Sequence, residues 1–154
     1  YIMARLHSAF LAGVEAVSPA QMVSSALRRD GDRLSVGKRD YQLKNNVRVI
    51  AFGKAVVGMV LAVEDILGEH IVESHACVQP GLAPSVRHSG SKTVWHEGAA
   101  NNLADENAQI GATALSDVAR RAGEGDLVVV LISGGGSALL TSPAPGISLV
   151  LRLC

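Results

Sequence analysis

Residues 127–132 read Leu-Val-Val-Val-Leu-Ile, and no other segment constrains the fold of this chain as strongly. Such an uninterrupted aliphatic run is typical of a strand covered on both faces, as in a parallel sheet flanked by helices. The stretch from Leu127 to Leu151 carries no charge and is long enough to span a bilayer. Gly134–Gly136 and Pro143–Gly146 interrupt it, and a lipid-exposed helix would not tolerate them. We therefore predict a buried strand followed by a loop.

Helical and strand-like patterns alternate along the rest of the chain. Val47–Phe52 is a predicted strand that runs directly into Gly53-Lys54 and then into a helical pattern closed by Gly68. The other predicted elements are helices around Leu6–Val17, from Ser18-Pro19, from Ala55 to Leu67 and from Glu106 to Ala122, strands at His70–Val78 and Thr93–His96, and a loop from Pro80 to Lys92. This alternation predicts an α/β fold, a three-layer sandwich with a mainly parallel, Rossmann-like sheet, in a single domain of 154 residues.

The charge balance and the cysteine content exclude several classes of protein. Lys plus Arg number 14 and Asp plus Glu number 14, so the chain lacks the basic excess of a nucleic-acid-binding protein. Seven basic residues against three aspartates lie between Arg28 and Arg48. They indicate either an anion-attracting surface or a solvated hairpin, and the second interpretation is favoured. Two cysteines cannot form a disulfide framework, which fits an intracellular, cytoplasmic protein.

The segment Ser133-Gly134-Gly135-Gly136-Ser137 directly follows the strongest predicted strand. In open parallel sheets, ligands bind just beyond the carboxyl ends of the strands. Consecutive glycines allow several backbone N–H groups to converge on one anion, and the two serines add hydroxyl donors. The segment therefore predicts a binding site for a phosphate or a carboxylate; the alternative is a flexible strand-to-helix turn. The patterns GxxxxGK[ST] and GxGxxG are absent, so neither a P-loop nor a dinucleotide-binding fingerprint is predicted.

Gly53-Lys54 is the second candidate site, because it lies between a predicted strand and a predicted helix. The glycine permits close approach of the backbone, and the lysine supplies a mobile cation that suits a phosphate in transfer. A cation in the first turn opposes the helix dipole, so this placement is locally unfavourable and points to function. The alternative is a solvated lysine in the first turn of the helix.

The remaining conspicuous residues are assigned to packing. The five histidines have no metal-binding spacing, although His75 and Cys77 share one face of a predicted strand, and no zinc site is predicted. Cys77 is expected to be a small buried residue and Trp95 a packing anchor. The residues expected to face the core from the helix at 106–122 are Ile110, Ala114, Leu115 and Val118.

Several motifs in order resemble the N-terminal part of the glycerate 2-kinase, or MOFRL-associated, family. They are Gly-Val-Glu-Ala-Val-Ser-Pro (13–19), Ala-Phe-Gly-Lys-Ala (51–55), Glu-Gly-Ala-Ala-Asn-Asn-Leu-Ala-Asp (97–105), Leu-Ile-Ser-Gly-Gly-Gly-Ser-Ala-Leu-Leu (131–140) and Pro-Ala-Pro (143–145). The resemblance covers residues 3–149. It implies ATP-dependent phosphorylation of D-glycerate with a divalent metal such as Mg²⁺. It further implies that Lys54 is the active-site lysine, that residues 133–137 bind phosphate or substrate carboxylate together with Gly53, and that Asp105 is a polar contact.

The chain departs from the family pattern in two ways. Ala104 stands where family members usually have proline, and this loosens the turn before Asp105. The family also continues into a second domain, so the resemblance implies a truncated N-terminal domain with little kinase activity of its own. The alternatives are an anion-binding or nucleotide-binding module without catalysis, and a regulatory fragment. The resemblance leaves open a homo-oligomer or a partner that covers the incomplete edge of the sheet, and a mitochondrial rather than a cytoplasmic location.

Overall fold

The computed structural model describes residues 2–83, 91–144, 146–147 and 149 of the chain. The described helices are α1 (Ile2–Ala16), α2 (Pro19–Ala26), α3 (Val56–Leu67), α4 (Glu106–Arg121) and α5 (Gly136–Leu139). The described strands are β1 (Leu27–Asp30), β2 (Arg33–Val36), β3 (Arg39–Gln42), β4 (Val47–Phe52), β5 (Ile71–Val78), β6 (Val94–Glu97) and β7 (Leu127–Ile132). Single 3₁₀ turns lie at Gly68–His70 and Ala100–Asn102.

Four parallel strands form the central sheet in the order β6-β5-β4-β7. Helices cover the two faces of this sheet. Val47, Val49 and Ala51 of β4 point into a core shared with α3, whereas Ile50 points into a separate core shared with α4. The predicted α/β class with a parallel sheet between two helical layers is thus confirmed.

The prediction that β7 is covered on both faces is wrong for the described residues. Val128, Val130 and Ile132 are 40%, 50% and 60% exposed. The reason is the position of β7 at the edge of the sheet, since α4 packs on β4, β5 and β6 while α3 covers only the other face of β7. A run of aliphatic residues indicates that both faces of the strand are apolar, but it does not indicate which of these faces the rest of the chain covers.

The basic segment at 28–48 contains a small antiparallel sheet, β1-β2-β3, where a weakly ordered hairpin was expected. Leu34 and Leu43 are buried in the same core as α3. Arg29 ties this sheet to the main core: its guanidinium donates to the carbonyls of Ile66 and Leu67 at the end of α3. The hairpin interpretation missed these contacts because they depend on residues distant in the sequence.

The start of α2 and the end of α3 follow the signals in the sequence, whereas one residue predicted to face the core from α4 does not. Ser18 caps α2 by accepting a hydrogen bond from the Gln21 amide, and Gly68 ends α3 at a φ of 50°. Ile110 was predicted to face the core, but it is 63% exposed. Small residues take its place because α4 lies very close to the sheet: a Cβ on Gly111 would lie 3.1 Å from the Cβ of His96.

Trp95 and Cys77 are buried as predicted, and burial raises the pKa of the Cys77 thiol to about 12.

Some predictions concern residues outside the described ranges. Most of the loop predicted from Pro80 to Lys92 lies outside them, namely 84–90, as do Pro145 and residues 150–154. None of the described helices combines the length and the apolarity that a passage through a bilayer requires.

Two half-buried histidines meet between α4 and the sheet. The rings of His75 and His96 stack with centroids 5.3 Å apart, and His75 Nδ1 lies 3.1 Å from His96 Nε2. Burial lowers the pKa of His75, while Glu73 opposes this shift and Arg121 adds to it. Burial also lowers the pKa of His96, and the neighbouring His75 reinforces the effect. Each histidine is therefore held in its neutral form over a wider pH range than in an unfolded chain.

We expect the free energy of unfolding to decrease as the pH falls through about 6.5, the value for a histidine in an unfolded chain. Below that pH the unfolded chain binds more protons than the folded chain, because the pKa values of His75 and His96 are lowered on folding. Urea unfolding between about pH 7.5 and about pH 5 measures this dependence above the range in which most carboxylates titrate. The double variant His75→Gln/His96→Gln should flatten the profile, with the exposed His7→Gln as control. A profile that stays equally steep in the double variant would contradict the assignment.

Candidate functional site at the carboxyl ends of β4 and β7

The order in which the chain adds strands to the sheet reverses between β4 and β7. The chain passes from β4 to β5 and then to β6 on one side, and it returns to place β7 on the other side of β4. At such a switch point the two following loops separate towards opposite faces of the sheet and leave a crevice, where open α/β sheets bind their ligands. Gly53-Lys54 and Ser133–Ser137, the two candidate segments from the sequence, follow these two strands directly.

Hydrogen bonds connect the two loops across the switch point. The Lys54 amide donates to the Gly134 carbonyl at 3.0 Å, and the Ser133 amide donates to the Phe52 carbonyl at 3.2 Å. The Ala55 amide donates to Ser133 Oγ, also at 3.0 Å. Ser133 thus accepts from the backbone at the start of α3, which has no capping side chain of its own. No described residue accepts from the Ser133 hydroxyl, so its hydrogen can be donated to a ligand at this edge of the sheet.

Glycine is required at the points of closest approach. Gly53 has a φ of 132°, and a Cβ there would lie 2.6 Å from the carbonyl oxygen of Ser133. A Cβ on Gly136 would lie 2.7 Å from the ring of Phe52. Any side chain at either position would push the two loops apart. These glycines therefore allow the segments that follow β4 and β7 to pack closely against each other.

Lys54 provides the positive charge of the site. Its side chain is exposed, and its aliphatic carbons pass over Gly135, where a Cβ would lie 2.7 Å from Lys54 Cε. Within the described part of the chain, no carboxylate pairs with its ammonium group. The first turn of α3 contains no acidic residue either, so its free N–H groups and the ammonium present the same sign of charge. This arrangement attracts anions, and phosphate groups match it in charge and in number of acceptor oxygens.

The other two predicted site residues have different surroundings. Ser137 is exposed on α5, and its hydroxyl makes no hydrogen bond to another described residue. Asp105 follows β6 and is the N-cap of α4, where it accepts from the amides of Ala108 at 2.8 Å and Ala100 at 3.0 Å. Burial raises the pKa of Asp105, but these backbone donors outweigh burial and hold its pKa below the ordinary value. A substrate contact by Asp105 remains a prediction beside this capping role.

The segment 99–102 carries a feature that sequence reasoning missed. Ala99, Asn101 and Asn102 all have positive φ values, 59°, 56° and 62°. The side chain of Asn102 is held in place by Gln79, whose Nε2 donates to Asn102 Oδ1 at 2.7 Å. Left-handed backbone in residues other than glycine is strained and occurs often at functional sites. The Asn-Asn dipeptide was the available signal, because asparagine tolerates this conformation better than most residues.

Metal ligands are not grouped in the part of the chain that is described. Residues 2–83, 91–144, 146–147 and 149 contain no cluster of three or more His, Cys, Asp or Glu side chains placed to hold an ion. His75 and His96 hydrogen bond to each other, and the Cys77 thiol faces Gly111. The polar side chains that the described residues offer to a ligand at the ends of β4 and β7 include Lys54, Ser133 and Ser137.

Comparison with known proteins places these features in a family. Residues 5–151 match the model of a domain of unknown function, DUF4147. A glycerate kinase of Danio rerio is 42% identical over 154 residues, covering 94% of this chain and 31% of the relative. A crystal structure of a Pyrococcus horikoshii protein superposes with a TM-score of 0.76 at 31% identity, covering 96% of this chain and 33% of that one.

A second solved structure, a glycerate kinase of Thermotoga maritima, has a TM-score of 0.64 at 26% identity and covers 89% of this chain and 29% of that one. The chain thus spans about a third of the length of the relatives it matches. The match of the family model covers nearly the whole chain, including both loops of the crevice. The chain belongs to the DUF4147 domain family.

Proposed function

We propose that this chain supplies the phosphate-binding part of an ATP-dependent kinase that phosphorylates D-glycerate. The observation that carries the proposal is the position of Lys54. Its ammonium has no ion-pair partner among the described residues, and it lies beside the glycine loop at the switch point of a parallel sheet. The names of the relatives from Danio rerio and Thermotoga maritima, both glycerate kinases, supply the substrate.

The chemistry follows from the charges at the site. A hydroxyl oxygen of D-glycerate attacks the γ-phosphorus of ATP, the bond to the β-phosphate oxygen breaks, ADP leaves, and the hydroxyl proton passes to solvent or to a base. Negative charge on the transferred phosphoryl oxygens must be neutralised throughout. Lys54 supplies a point charge for this purpose, and the Ser133 hydroxyl together with the N–H groups in the first turn of α3 supplies oriented donors. Mg²⁺, when bound, would neutralise further charge on the phosphates, and Mg²⁺ in such sites is held largely by substrate oxygens and water.

The proposal extends to the partners and the location of the protein. ATP and D-glycerate are the proposed small-molecule partners, and a homo-oligomer or another polypeptide would cover the exposed side chains of β7. We propose a cytoplasmic location, with mitochondria as the alternative, because two cysteines cannot form a disulfide framework. A binding module without catalysis is the second candidate, favoured by the hydrogen bonds that join both candidate loops within this chain.

Removal of the Lys54 charge tests the proposal directly. We expect Lys54→Ala to weaken binding of inorganic pyrophosphate and of Mg-ATP by about 10- to 100-fold, the value of one or two charge-assisted hydrogen bonds. Isothermal titration calorimetry of the purified chain measures both affinities. The matched control is Lys44→Ala, which removes the same charge from an exposed position after β3. An equal loss in the two variants, or no binding by the unaltered chain, would show that this crevice is not a phosphate site.

Turnover separates the two candidate functions. Formation of phosphoglycerate from D-glycerate and Mg-ATP by this chain, abolished in Lys54→Ala, would assign catalysis to the chain itself. Binding without turnover would assign it a phosphate-holding role within a longer kinase. The two readouts are independent, because affinity is measured without any requirement for the acceptor substrate.

A further inference from the structure

We propose that Gly135 is a positioning residue for Lys54, and that the space left by its missing side chain determines where the ammonium group lies. The inference rests on the proposed function for its significance, since it explains how the phosphate site is organised. The contact itself is a property of the fold. It assigns to Gly135 a role different from that of a backbone donor to the ligand.

The three consecutive glycines of the loop have different surroundings. A Cβ on Gly134 would meet no atom within 4 Å, whereas a Cβ on Gly136 would meet the ring of Phe52. A Cβ on Gly135 would lie 2.7, 2.8 and 2.9 Å from Cε, Cγ and Cδ of Lys54. Real Cβ atoms do not approach other atoms so closely, so any side chain at 135 would displace the stem of the lysine. Of the three glycines, only Gly135 lies directly against the side chain of Lys54, the proposed active-site residue.

Lys54 is held at two points by the same loop. Its backbone amide donates to the carbonyl of Gly134 at 3.0 Å, and its stem crosses Gly135. An unrestrained lysine side chain samples many rotamers, and it loses this conformational entropy when its ammonium group binds a ligand. The groove over Gly135 restricts this freedom before the ligand arrives. The site is thereby preorganised for an anion, and loss of the groove should weaken binding even though no charge or donor is removed.

A second property of Gly135 must be separated from the first. Its φ is +83°, so any L-residue at this position is strained, whatever it contacts. A double-mutant cycle distinguishes the two causes. Strain in the backbone persists when Lys54 is truncated, whereas the clash with the lysine stem disappears. The variant Gly135→Asn adds a Cβ with less strain, because asparagine tolerates positive φ, and it keeps the test valid if Gly135→Ala folds poorly.

The experiment measures the position of Lys54 and the coupling of the two residues. The probe of position is the ¹⁵N NMR signal of the Lys54 ammonium, identified by its loss in Lys54→Arg. We expect Gly135→Ala and Gly135→Asn to shift this signal and Gly134→Ala to leave it in place. We also expect Gly135→Ala to lower the urea midpoint by a smaller amount in the Lys54→Ala background than in the unaltered chain. An unmoved Lys54 signal, or an equal loss in both backgrounds, would overturn the inference.

A third measurement distinguishes failure of this inference from failure of the proposed function. Pyrophosphate affinity should fall by about 10-fold in Gly135→Ala, a typical coupling between residues in contact, and should be unaffected in Gly125→Ala, where a Cβ meets nothing within 4 Å. If the unaltered chain binds no pyrophosphate while the NMR shift and the coupling persist, Gly135 positions Lys54 and the phosphate assignment fails. If pyrophosphate binds equally well to Gly135→Ala, the positioning role is wrong and the phosphate assignment stands.

Discussion

Substituting Gly98 with alanine is expected to lower the free energy of unfolding by about 3 kcal/mol or more. Gly98 follows β6, and its amide donates to the carbonyl of Val78. An added Cβ would lie 2.7 Å from the Cα of Ala108, in the first turn of α4. Backbone atoms cannot rotate away as a side chain can, so α4 must move off the sheet. This movement would open the core around Leu115 and Val118.

Urea unfolding followed by circular dichroism measures the loss. Gly123→Ala is the matched control, because it is the same substitution just after α4 and its Cβ would meet nothing within 4 Å. The control should change the free energy of unfolding by less than about 1 kcal/mol, as substitutions away from close contacts do. A comparable result for Gly98→Ala would mean that the close contact between α4 and β6 is relieved at little cost.

Substituting Leu139 with alanine is expected to cost about 2 to 5 kcal/mol, the range for a large buried side chain that leaves a cavity. Leu139 is 1% exposed and packs in the core beneath α4 together with Leu115 and Val118. It is also the last residue of α5 and so anchors the glycine loop to this core. The variant should therefore lose affinity for pyrophosphate as well as stability, because the loop is no longer held against Lys54.

The neighbouring Leu140 supplies the comparison. It has the same side chain and is 38% exposed, so Leu140→Ala should cost less than about 1 kcal/mol. Both variants are measured by urea unfolding and by calorimetry with pyrophosphate. Equal stability losses at the two positions would contradict the anchoring role of Leu139, and so would full pyrophosphate affinity in a Leu139→Ala chain that remains folded.

Local sequence was sufficient for the central elements of the fold. Strands β4 and β7 begin and end at the residues predicted from their aliphatic content, Val47–Phe52 and Leu127–Ile132. Helix α2 begins at the predicted Ser18-Pro19, with Ser18 as its cap. These features depend on interactions within a few residues of each other, which a pattern along the chain records directly.

The features that were missed depend on contacts between distant segments. The sheet β1-β2-β3 is held by Leu34 and Leu43, two residues in a segment dominated by charge. The open face of β7 follows from the strand order, which no local pattern encodes. Likewise, the positions of Gly53, Lys54 and the glycine loop were predicted separately, whereas the passage of the lysine stem over Gly135 appears only when the two loops are brought together.

The separation of these two loops along the chain also orders the events of folding. Ser133 and Ala55, which join them, are 78 positions apart, whereas β4 pairs with β5 across a connection of one helix. Closing the longer loop costs more chain entropy, so contacts within β4-α3-β5 can form first. A partly folded chain that has paired β4 with β5 can already pack β4, α3 and β5 in one hydrophobic core, but it lacks the contacts between the two loops. If the two loops hold a phosphate as proposed, the complete site forms only when β7 docks, and a ligand that contacts both loops would stabilise the docked position of this strand.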